Sequence, residues 1–419
     1  MFLPKKFLSN FLIAISLSLI IYFLITHQII YPTIPPMLKN GASHLFADWS
    51  VILSANICQT QFDVFTTNPC DAFNRTHVYG SILLNIPFIK DFSKFYLIIL
   101  PSILNFLFIY VIVSFFKLKN YLEYITLLPF IFSIPVLLAI ERANIDILIF
   151  LILVLTAFNK KIVYNYFCII FISLLKFYPI CLAIIFLFEK NYKKILFNLL
   201  IFVLIISSFL FFEFSNIKKI FTVGSDFSAS HHLSFSIQGF IDHNNKLIIA
   251  FNNKDYNWIK YLYIIFILVI PLIITVTLSL KRIFDNNDIN LLFLTNSYEN
   301  RLFILSITVV LSCYFAFDNY LYREIFFIGF LPWLIKEKNS GINNKFINFL
   351  FYILCFKFFF TSVLIYLYRN HLTLLKPLAT ITKQCLDFYV IFIFLLVFIS
   401  AIYKFFKEQK KLKIYKSLG

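Results

Sequence analysis

The chain has 419 residues, of which 61% are hydrophobic and 20% aromatic, and it carries a formal net charge of +17. A soluble domain is about 45–50% apolar, so no soluble core could bury this much apolar surface. The positive charges fall in short clusters between apolar runs, where membrane topology requires them, and this argues against nucleic-acid binding. The composition therefore predicts a polytopic membrane protein.

Apolar runs that cross, or nearly cross, a hydrocarbon core of about 30 Å predict about 12 membrane helices, some of them short or re-entrant. They lie near residues 8–30, 95–116, 121–140, 144–158, 162–175, 177–188, 195–213, 257–280, 301–317, 321–335, 346–368 and 386–404. The first run resembles a signal peptide but has no small-residue cleavage site after it, so we expect an uncleaved span. We expect residues 1–419 to form a single all-α integral membrane domain.

The stretch 144–188 has two interpretations. A short span followed by one long span over 162–188 would put the basic clusters at 159–161 and 189–194 on opposite faces. Three short helices would put both clusters on one side. The positive-inside rule favours three helices, because both clusters and both termini then face the cytoplasm. Lys176 then lies at the outer rim of the membrane and not at its centre, where a charge is costly.

Two long polar segments, 31–94 and 214–256, then lie outside, and residues 405–419 form a basic cytoplasmic tail. Both segments mix aromatic residues with Asp and His, and they lack the Gly/Ser runs or single-charge runs of linkers. In the first, FADWSVIL predicts a short amphipathic helix that contains Asp48, with Trp49 at the membrane interface.

The seven cysteines show no metal-binding spacing, and the chain has no Walker loop or G-x-G-x-x-G motif. We therefore expect no metal and no cofactor. Cys58 and Cys70 lie in the first polar segment. They can pair if that segment faces an oxidising compartment, and two free thiols are the alternative.

Polar residues that could carry chemistry gather at the predicted outer ends of the spans. They are Asp48, Asp63, His77, Tyr79, Glu141, Arg142, Asn144, Lys176, Tyr178, His231, His232, Asp318, Tyr320, Tyr322 and Arg323. Each alone is more often a snorkelling charge or a helix cap. Together they suit a lipid substrate that bears a phosphate, because fixed cations neutralise the phosphate while a carboxylate accepts a hydroxyl proton.

Four motifs occur in the order FADWSVIL, AIERANIDILIFLILVL, LLKFYPICLAIIFL and YLYREIFFIGFLPWL. In this order they resemble the first-loop acidic motif, the polar turn, the Lys-x-Tyr-Pro turn and the late Tyr-Arg span of GT-C membrane glycosyltransferases. The closest resemblance is to the polyprenol-phosphate-dependent mannosyltransferases related to glycosyltransferase family 87. It covers residues 40–335 and is weakest after 340.

The resemblance implies a GT-C-like fold and transfer of a mannose-like hexose from a polyprenyl-phosphate donor to a hydroxyl of a lipid-linked or cell-envelope glycan. The reaction would take place at the outer face of the inner membrane, so the expected partners are the donor, the acceptor and membrane lipids. Some members of the family carry a paired acid that can bind a metal, but Trp49 and Ser50 follow Asp48 here, so a metal is not expected.

The resemblance also assigns roles to residues. Asp48 maps to the early acid and would deprotonate the acceptor, and Lys176 maps to the family lysine and would hold the donor phosphate. Arg142 and Arg323 would assist Lys176. Further expected substrate-binding residues are Glu141, Asn144, Tyr178, His231, His232 and Tyr322.

Two kinds of function fit these residues. Direct displacement at the anomeric carbon needs a base for the hydroxyl and stabilisation of the leaving phosphate, and it inverts the configuration. The alternative is a flippase or exporter of lipid-linked saccharides, which needs charges lining a cavity at mid-membrane. Lys357, in FYILCFKFFFTS, is the deep cation that favours this alternative. A non-catalytic scaffold does not explain the outer polar residues.

Overall fold

The computed structural model describes residues 5–26, 45–72, 74–87, 95–116, 121–189, 191–225, 233–241, 289, 292–316, 320–340, 345–369 and 375–418. The regular elements within these ranges are helices, apart from an isolated antiparallel bridge between Ser234 and Tyr320. The all-α prediction is therefore confirmed for the described ranges. The predicted span 257–280 lies outside them.

The α-helices are α1 (Lys5–Thr26), α2 (Ala47–Cys58), α3 (Leu100–Phe115), α4 (Tyr121–Ile131), α5 (Ile134–Arg142), α6 (Ile145–Phe158), α7 (Ile162–Leu175), α8 (Tyr192–Phe212), α9 (Phe214–Ser225), α10 (Tyr298–Ala316), α11 (Leu331–Lys338), α12 (Lys345–Arg369) and α13 (Leu375–Leu418). A π-helical turn (Phe95–Ile99) leads into α3, and 3₁₀ helices cover Ser81–Asn85, Tyr178–Phe188 and Leu321–Phe330.

Six helices among the described residues are long and apolar enough to cross a membrane, and a seventh span results if α4 and α5 count as one. They lie within α1, the stretch from Phe95 through α3, α8, α10, α12 and α13. These helices confirm a polytopic membrane protein. The larger number of about 12 spans stays a prediction.

The predicted span at 121–140 is broken. Residues Ile125–Ile131 of α4 and α5 meet at an angle of 58°. Pro135 lies in the first turn of α5, after an extended Ser133. Because proline lacks an N–H and disfavours helical backbone before it, the chain leaves α4 and starts a new helix.

The stretch 144–188 forms three separate helices, as the charge pattern predicts. They are α6, α7 and the 3₁₀ helix Tyr178–Phe188. Lys176 follows α7 in an extended conformation, with φ −147° and ψ 149°. Pro179 then lies in the first turn of the 3₁₀ helix, where its missing N–H costs no helical hydrogen bond. Which side of the membrane this turn faces stays a prediction.

The chain divides into two compact units. Unit 1 contains Met1–Ile180, Ile201–Ser228 and Tyr322–Ile325, and unit 2 contains Cys181–Leu200, Ala229–Leu321 and Phe326–Gly419. In unit 1, α3 packs against α1 and α6, and α6 packs against α7. In unit 2, α12 packs along α13, and α10 contacts both α11 and α13. The single membrane domain predicted for residues 1–419 stays a prediction.

Helix α2 is buried on most of its surface. Nine of its 12 residues are buried, among them Asp48 and Trp49. The Trp49 side chain is 4% exposed and its Nε1–H donates to the Tyr96 carbonyl at 2.7 Å. The predicted short helix is therefore present, but it is buried on most sides and not amphipathic, because α2 packs against α5, the 3₁₀ helix Ser81–Asn85 and the π-helical turn Phe95–Ile99. The position of Trp49 at the membrane interface stays a prediction.

A disulfide joins Cys58, at the end of α2, to Cys70. Of the two alternatives for these cysteines, the structure shows the paired form. The two residues are 12 positions apart. A bridge that closes a loop of this length removes unfolded-state entropy equivalent to about 2–3 kcal/mol. It therefore stabilises the polar segment that follows α2.

We expect the Cys58→Ser/Cys70→Ser double variant to lose about 2–3 kcal/mol of local stability in this segment. Hydrogen exchange of residues 58–72 measures the loss. The matched control is Cys355→Ser, because Cys355 is a free cysteine. Peptide mass spectrometry of protein extracted without reductant checks the bond itself, and free thiols at both positions would contradict it.

Candidate active site

The turn between α5 and α6, in unit 1, organises the site. Helix α5 ends at Arg142, and Ala143 adopts a left-handed conformation with φ 46°. Asn144 then caps α6, and its side-chain oxygen accepts the backbone N–H of Asp146 at 2.9 Å. Asparagine is a preferred N-cap because it satisfies an amide that the helix leaves unpaired. The cap also fixes the Asn144 side chain, so that its other contacts have a defined geometry.

Asn144 links the buried Asp48 carboxylate to the Lys176 ammonium. Its Nδ2 donates to Asp48 Oδ2 at 2.7 Å, while its Oδ1 accepts from Lys176 Nζ at 3.3 Å. Lys176 Nζ also contacts Asp146 Oδ1 at 2.5 Å. Asp48, Asp146 and Lys176 are at most 8% exposed. Charges at that depth need partners and hydrogen bonds, and this network supplies them.

Asp48 faces two guanidinium groups on its second oxygen. Arg142 NH1 lies 3.6 Å and Arg75 NH1 lies 3.8 Å from Asp48 Oδ1. Asp48 sits in the first turn of α2, where the helix dipole also favours a negative charge. The carboxylate is thus held by contacts from two separate parts of the chain, the turn between α5 and α6 and the segment that contains Arg75.

Asp146 gathers a second set of donors. The Tyr178 hydroxyl donates to Asp146 Oδ1 at 2.8 Å, and Arg323 Nε lies 3.6 Å from Asp146 Oδ2. The Arg323 guanidinium also lies 5.1 Å from the centre of the Tyr178 ring. Asp146 is fully buried. It therefore holds Lys176, Tyr178 and Arg323 together, although they come from distant positions in the sequence.

Two tyrosine rings flank the Lys176 ammonium. Lys176 Nζ lies 5.2 Å from the centre of the Tyr79 ring and 5.8 Å from that of Tyr322. Both distances are within the range of a cation–π contact. The rings limit the directions from which an anion can approach Lys176.

Gly80 brings the segment after α2 against the end of α7. Its N–H donates to the Leu175 carbonyl at 3.0 Å. A Cβ at this position would lie 1.7 Å from the Leu174 carbonyl oxygen, so a larger residue would force the two segments apart. Glycine at this close approach places Tyr79 beside Lys176.

His77 is buried in the same segment. The centre of its ring lies 5.4 Å from that of the Phe65 ring and 5.6 Å from that of the Tyr79 ring. Its backbone N–H donates to the Val64 carbonyl at 2.8 Å. Burial lowers the pKa of His77 to about 4, although a hydrogen bond to the Gly80 carbonyl opposes the shift. The folded protein therefore favours neutral His77.

A lowered pKa in the folded state makes stability depend on pH. His77 contributes its full stability above its unfolded pKa of about 6.5, and this contribution is lost as pH falls towards 4. As the pH falls over this range, we expect the free energy of unfolding to decrease in both proteins. The decrease should be a few kcal/mol larger for the wild type than for His77→Gln. Thermal unfolding at a series of pH values measures the difference. Parallel curves for the two proteins would contradict this expectation.

Most of the predicted site residues come together in unit 1: Asp48, Arg142, Asn144, Lys176, Tyr178, Tyr322 and Arg323. Glu141 is buried at the end of α5, and its backbone carbonyl accepts the Phe46 N–H at 2.7 Å, which ties this helix to the start of α2. Asp63 instead forms an exposed ion pair with Lys219, at 2.7 Å. His231, His232 and Asp318 lie outside the described residues.

Sequence reasoning missed three charged members of the cluster. Asp146 lies in NIDILIF, where an acid in the first turn of a helix looks like a response to the helix dipole. Asp71 and Arg75 lie in a polar segment without periodicity. Asp146 could have been found from the sequence, because an acid at the edge of an apolar run needs a cation as partner. Lys176, at the next predicted outer turn, is such a cation.

The fold and this cluster define a polytopic α-helical membrane protein with a buried polar site in which carboxylates and cations are paired. No family model matches the chain, and no curated protein or solved structure matches it significantly. Within the described ranges, no group of three His, Cys, Asp or Glu side chains could hold a metal ion. The expectation that the protein uses no metal or cofactor stays a prediction.

Proposed function

We propose that the protein is a glycosyltransferase that moves a mannose-like hexose from a polyprenyl-phosphate donor to a hydroxyl of a lipid-linked or cell-envelope glycan. The observation that supports this most is the meeting of Asp48 with the cations Arg142, Lys176 and Arg323 in one buried network. These residues come from four segments far apart in the sequence. Such a site can activate a hydroxyl and stabilise a phosphate at the same time.

Asp48 is the proposed general base. Asn144 donates to one of its oxygens, and Arg142 and Arg75 face the other. These contacts orient the carboxylate without occupying every lone pair, since a carboxylate has about four acceptor sites. One lone pair can therefore accept the proton of the acceptor hydroxyl.

Lys176 is the proposed ligand of the donor phosphate. An ammonium group has three N–H donors, and Asp146 and Asn144 accept two of them. A phosphate oxygen can accept the third in a charge-assisted hydrogen bond. Arg323 and Arg142 add positive charge to the site, with Arg323 paired to Asp146 and Arg142 paired to Asp48.

The reaction is a single displacement. The acceptor oxygen attacks the anomeric carbon as Asp48 takes the hydroxyl proton, and the bond from that carbon to the phosphate oxygen breaks. The bonding electrons leave with the polyprenyl phosphate, whose negative charge Lys176 stabilises. Attack opposite the leaving group inverts the anomeric configuration. The phosphate leaves readily, so an acid catalyst is less necessary than in glycoside hydrolysis.

The proposed location is the outer face of the inner membrane. The Cys58–Cys70 disulfide supports it, because disulfides persist in oxidising compartments outside the cytoplasm. The basic clusters support the same orientation through the positive-inside rule. Exposed aromatic side chains such as Phe211 and Phe212, which are 79% and 82% exposed, suit contact with membrane lipids.

The flippase alternative has less support. Lys357 is fully buried, and its Nζ lies 2.9 Å from Asp387 Oδ1. A flippase needs deep charges that face a cavity through which a polar head group can pass. A paired and fully buried lysine has instead the character of a structural ion pair.

Replacing Lys176 is expected to weaken donor binding. A hydrogen bond to a charged group is worth about 1.5–3 kcal/mol, so Lys176→Ala should lower the affinity for the donor by roughly tenfold to a hundredfold. Lys176→Gln is the better matched change, because it keeps a donor for Asp146 and Asn144. Equilibrium binding of a polyprenyl-phosphate sugar measures the effect. The control is Lys160→Ala, an exposed lysine of the same unit, and equal affinity of the Lys176 and Lys160 variants would contradict the assignment.

Transfer itself tests the proposed function. Purified protein should move labelled sugar from the polyprenyl-phosphate donor into glycans or lipid-linked saccharides extracted from the host membrane. The product should carry the anomeric configuration opposite to that of the donor. Translocation of lipid-linked saccharide across vesicles, without any transfer of sugar, would support the flippase instead.

A further inference from the structure

Arg75 contacts the start of α2 at two places. Its NH2 donates to the carbonyl of Ala47 at 3.0 Å, and its NH1 lies 3.8 Å from Asp48 Oδ1. The Arg75 side chain is only 16% exposed. It therefore contacts both the backbone that precedes Asp48 and the Asp48 carboxylate.

The Asp71 carboxylate fixes the Arg75 guanidinium. Arg75 Nε donates to Asp71 Oδ2 at 3.0 Å and Arg75 NH2 donates to Asp71 Oδ1 at 2.9 Å. This bidentate geometry sets the plane of the guanidinium as well as its position. The backbone is held too, since the Arg75 N–H donates to Asp71 Oδ2 at 3.1 Å and its carbonyl accepts from Asn68 Nδ2 at 3.1 Å.

The disulfide extends this support to the other end of α2. Cys70 precedes Asp71 directly and is bonded to Cys58, the last residue of α2. Cys70 and Arg75 thus attach this part of the chain to α2 twice. The disulfide joins it to the C-terminal end of α2, and Arg75 contacts the N-terminal end of α2. A residue attached in this way can hold the first turn of α2 in one orientation.

We propose that Arg75 is a positioning residue for Asp48, held in place by Asp71 and by the Cys58–Cys70 disulfide. Its guanidinium fixes the start of α2 and the orientation of the carboxylate, and Arg142 and Asn144 complete the environment of Asp48. The assignment rests on the proposed function, in which Asp48 is the general base.

The test compares Arg75→Gln, Arg75→Lys and the control Lys219→Gln in the donor-dependent transfer reaction. Lys219 belongs to the exposed ion pair with Asp63 and does not contact Asp48. In Arg75→Gln we expect kcat to fall about tenfold to a hundredfold, because the base loses its orientation, with little change in the KM for the donor. The loss should therefore appear in kcat and not in the KM for the donor.

Arg75→Lys separates charge from geometry. It keeps a positive charge but loses the planar fork, so kcat should fall less than in Arg75→Gln, with the KM for the donor again little changed. A purely structural role would lower the amount of folded enzyme without changing kcat per folded molecule in either variant. Thermal unfolding of each variant shows which fraction is folded.

The outcomes separate the two proposals. If the wild type transfers sugar and Arg75→Gln matches Lys219→Gln in kcat per folded molecule, the role of Arg75 is overturned and the proposed function stands. If the wild type transfers no sugar from any polyprenyl-phosphate donor, the proposed function is overturned and the role of Arg75 falls with it. A lower kcat per folded molecule with an unchanged KM for the donor supports both.

Discussion

Asp48→Asn is expected to bind the polyprenyl-phosphate donor almost as well as the wild type and to lose turnover by ~10²–10⁴-fold. The amide is close in shape to the carboxylate and can still accept the hydrogen bond from Asn144, which is 2.7 Å long in the wild type. It cannot take a proton from the acceptor hydroxyl. The defect should therefore appear in kcat, with the affinity for the donor largely kept.

The matched control for this change is Asp63→Asn. Asp63 follows α2 in the same segment, but its carboxylate is 42% exposed and pairs with Lys219. An exposed pair of this kind contributes little, so the control should bind and turn over normally. If Asp48→Asn folds and transfers sugar at the control's rate, Asp48 is a helix residue without a catalytic role.

A second large effect is expected for Asp387, in unit 2. Its Oδ1 lies 2.9 Å from Lys357 Nζ and its Oδ2 lies 2.8 Å from Lys383 Nζ, and all three residues are at most 1% exposed. Lys383 also donates to the Ser234 carbonyl, and Gln384 Nε2 donates to the same oxygen at 3.2 Å. Asp387 thus connects α12 with α13 and helps to hold the segment around Ser234.

Asp387→Asn should lower the free energy of unfolding of unit 2 by about 3–5 kcal/mol, because it leaves two buried lysines without their shared carboxylate. Thermal or denaturant unfolding in detergent measures the loss. The triple variant that also carries Lys357→Met and Lys383→Met should regain much of it, since it removes the unpaired charges and restores apolar packing.

Glu337→Gln is the control for Asp387→Asn, because Glu337 belongs to a more exposed ion pair with Lys336 in the same unit. It should change stability by no more than about 0.5 kcal/mol. Equal unfolding curves for Asp387→Asn and Glu337→Gln would show that the buried ion pairs do not stabilise unit 2.

The helices were largely predictable because their signals are local. The run of apolar residues between Lys161 and Lys176 sets the length of α7, and Pro179 marks the helix that follows. The break between α4 and α5 could also be predicted from the sequence, because Pro135 cannot continue a helix through the preceding turn. The division into two units was not, since it depends on contacts between residues far apart in sequence.

The site was predictable only in part, for the same reason. Asp48, Arg142 and Lys176 stand out because each is a charge at the edge of an apolar run. Their pairing does not follow from the sequence, because Asn144 reaches Asp48 across 96 positions and Lys176 reaches Asp146 across 30. The burial of Trp49 was missed because its partner, the Tyr96 carbonyl, lies 47 positions away in the sequence.

The charges in α12 and α13 show the same limit. Lys357 stands out as a cation within an apolar run, and a cation at such depth needs an acidic partner. Asp387 was the nearest acid in the following span, but the sequence alone does not bring the two helices into register. In the structure, Lys357 Nζ lies 2.9 Å from Asp387 Oδ1. This pairing weakens the case for a flippase.

The most direct test of the proposed glycosyltransferase activity is the release of free polyprenyl phosphate from polyprenyl-phosphate sugars by the purified protein, in the presence of an acceptor extract. We predict that the wild type releases the lipid phosphate from a hexose donor in step with transfer of the sugar, and that Asp48→Asn, although folded and able to bind the donor, does not. No release by the folded wild type from any donor in a panel of sugars, or equal release by Asp48→Asn, would contradict the account.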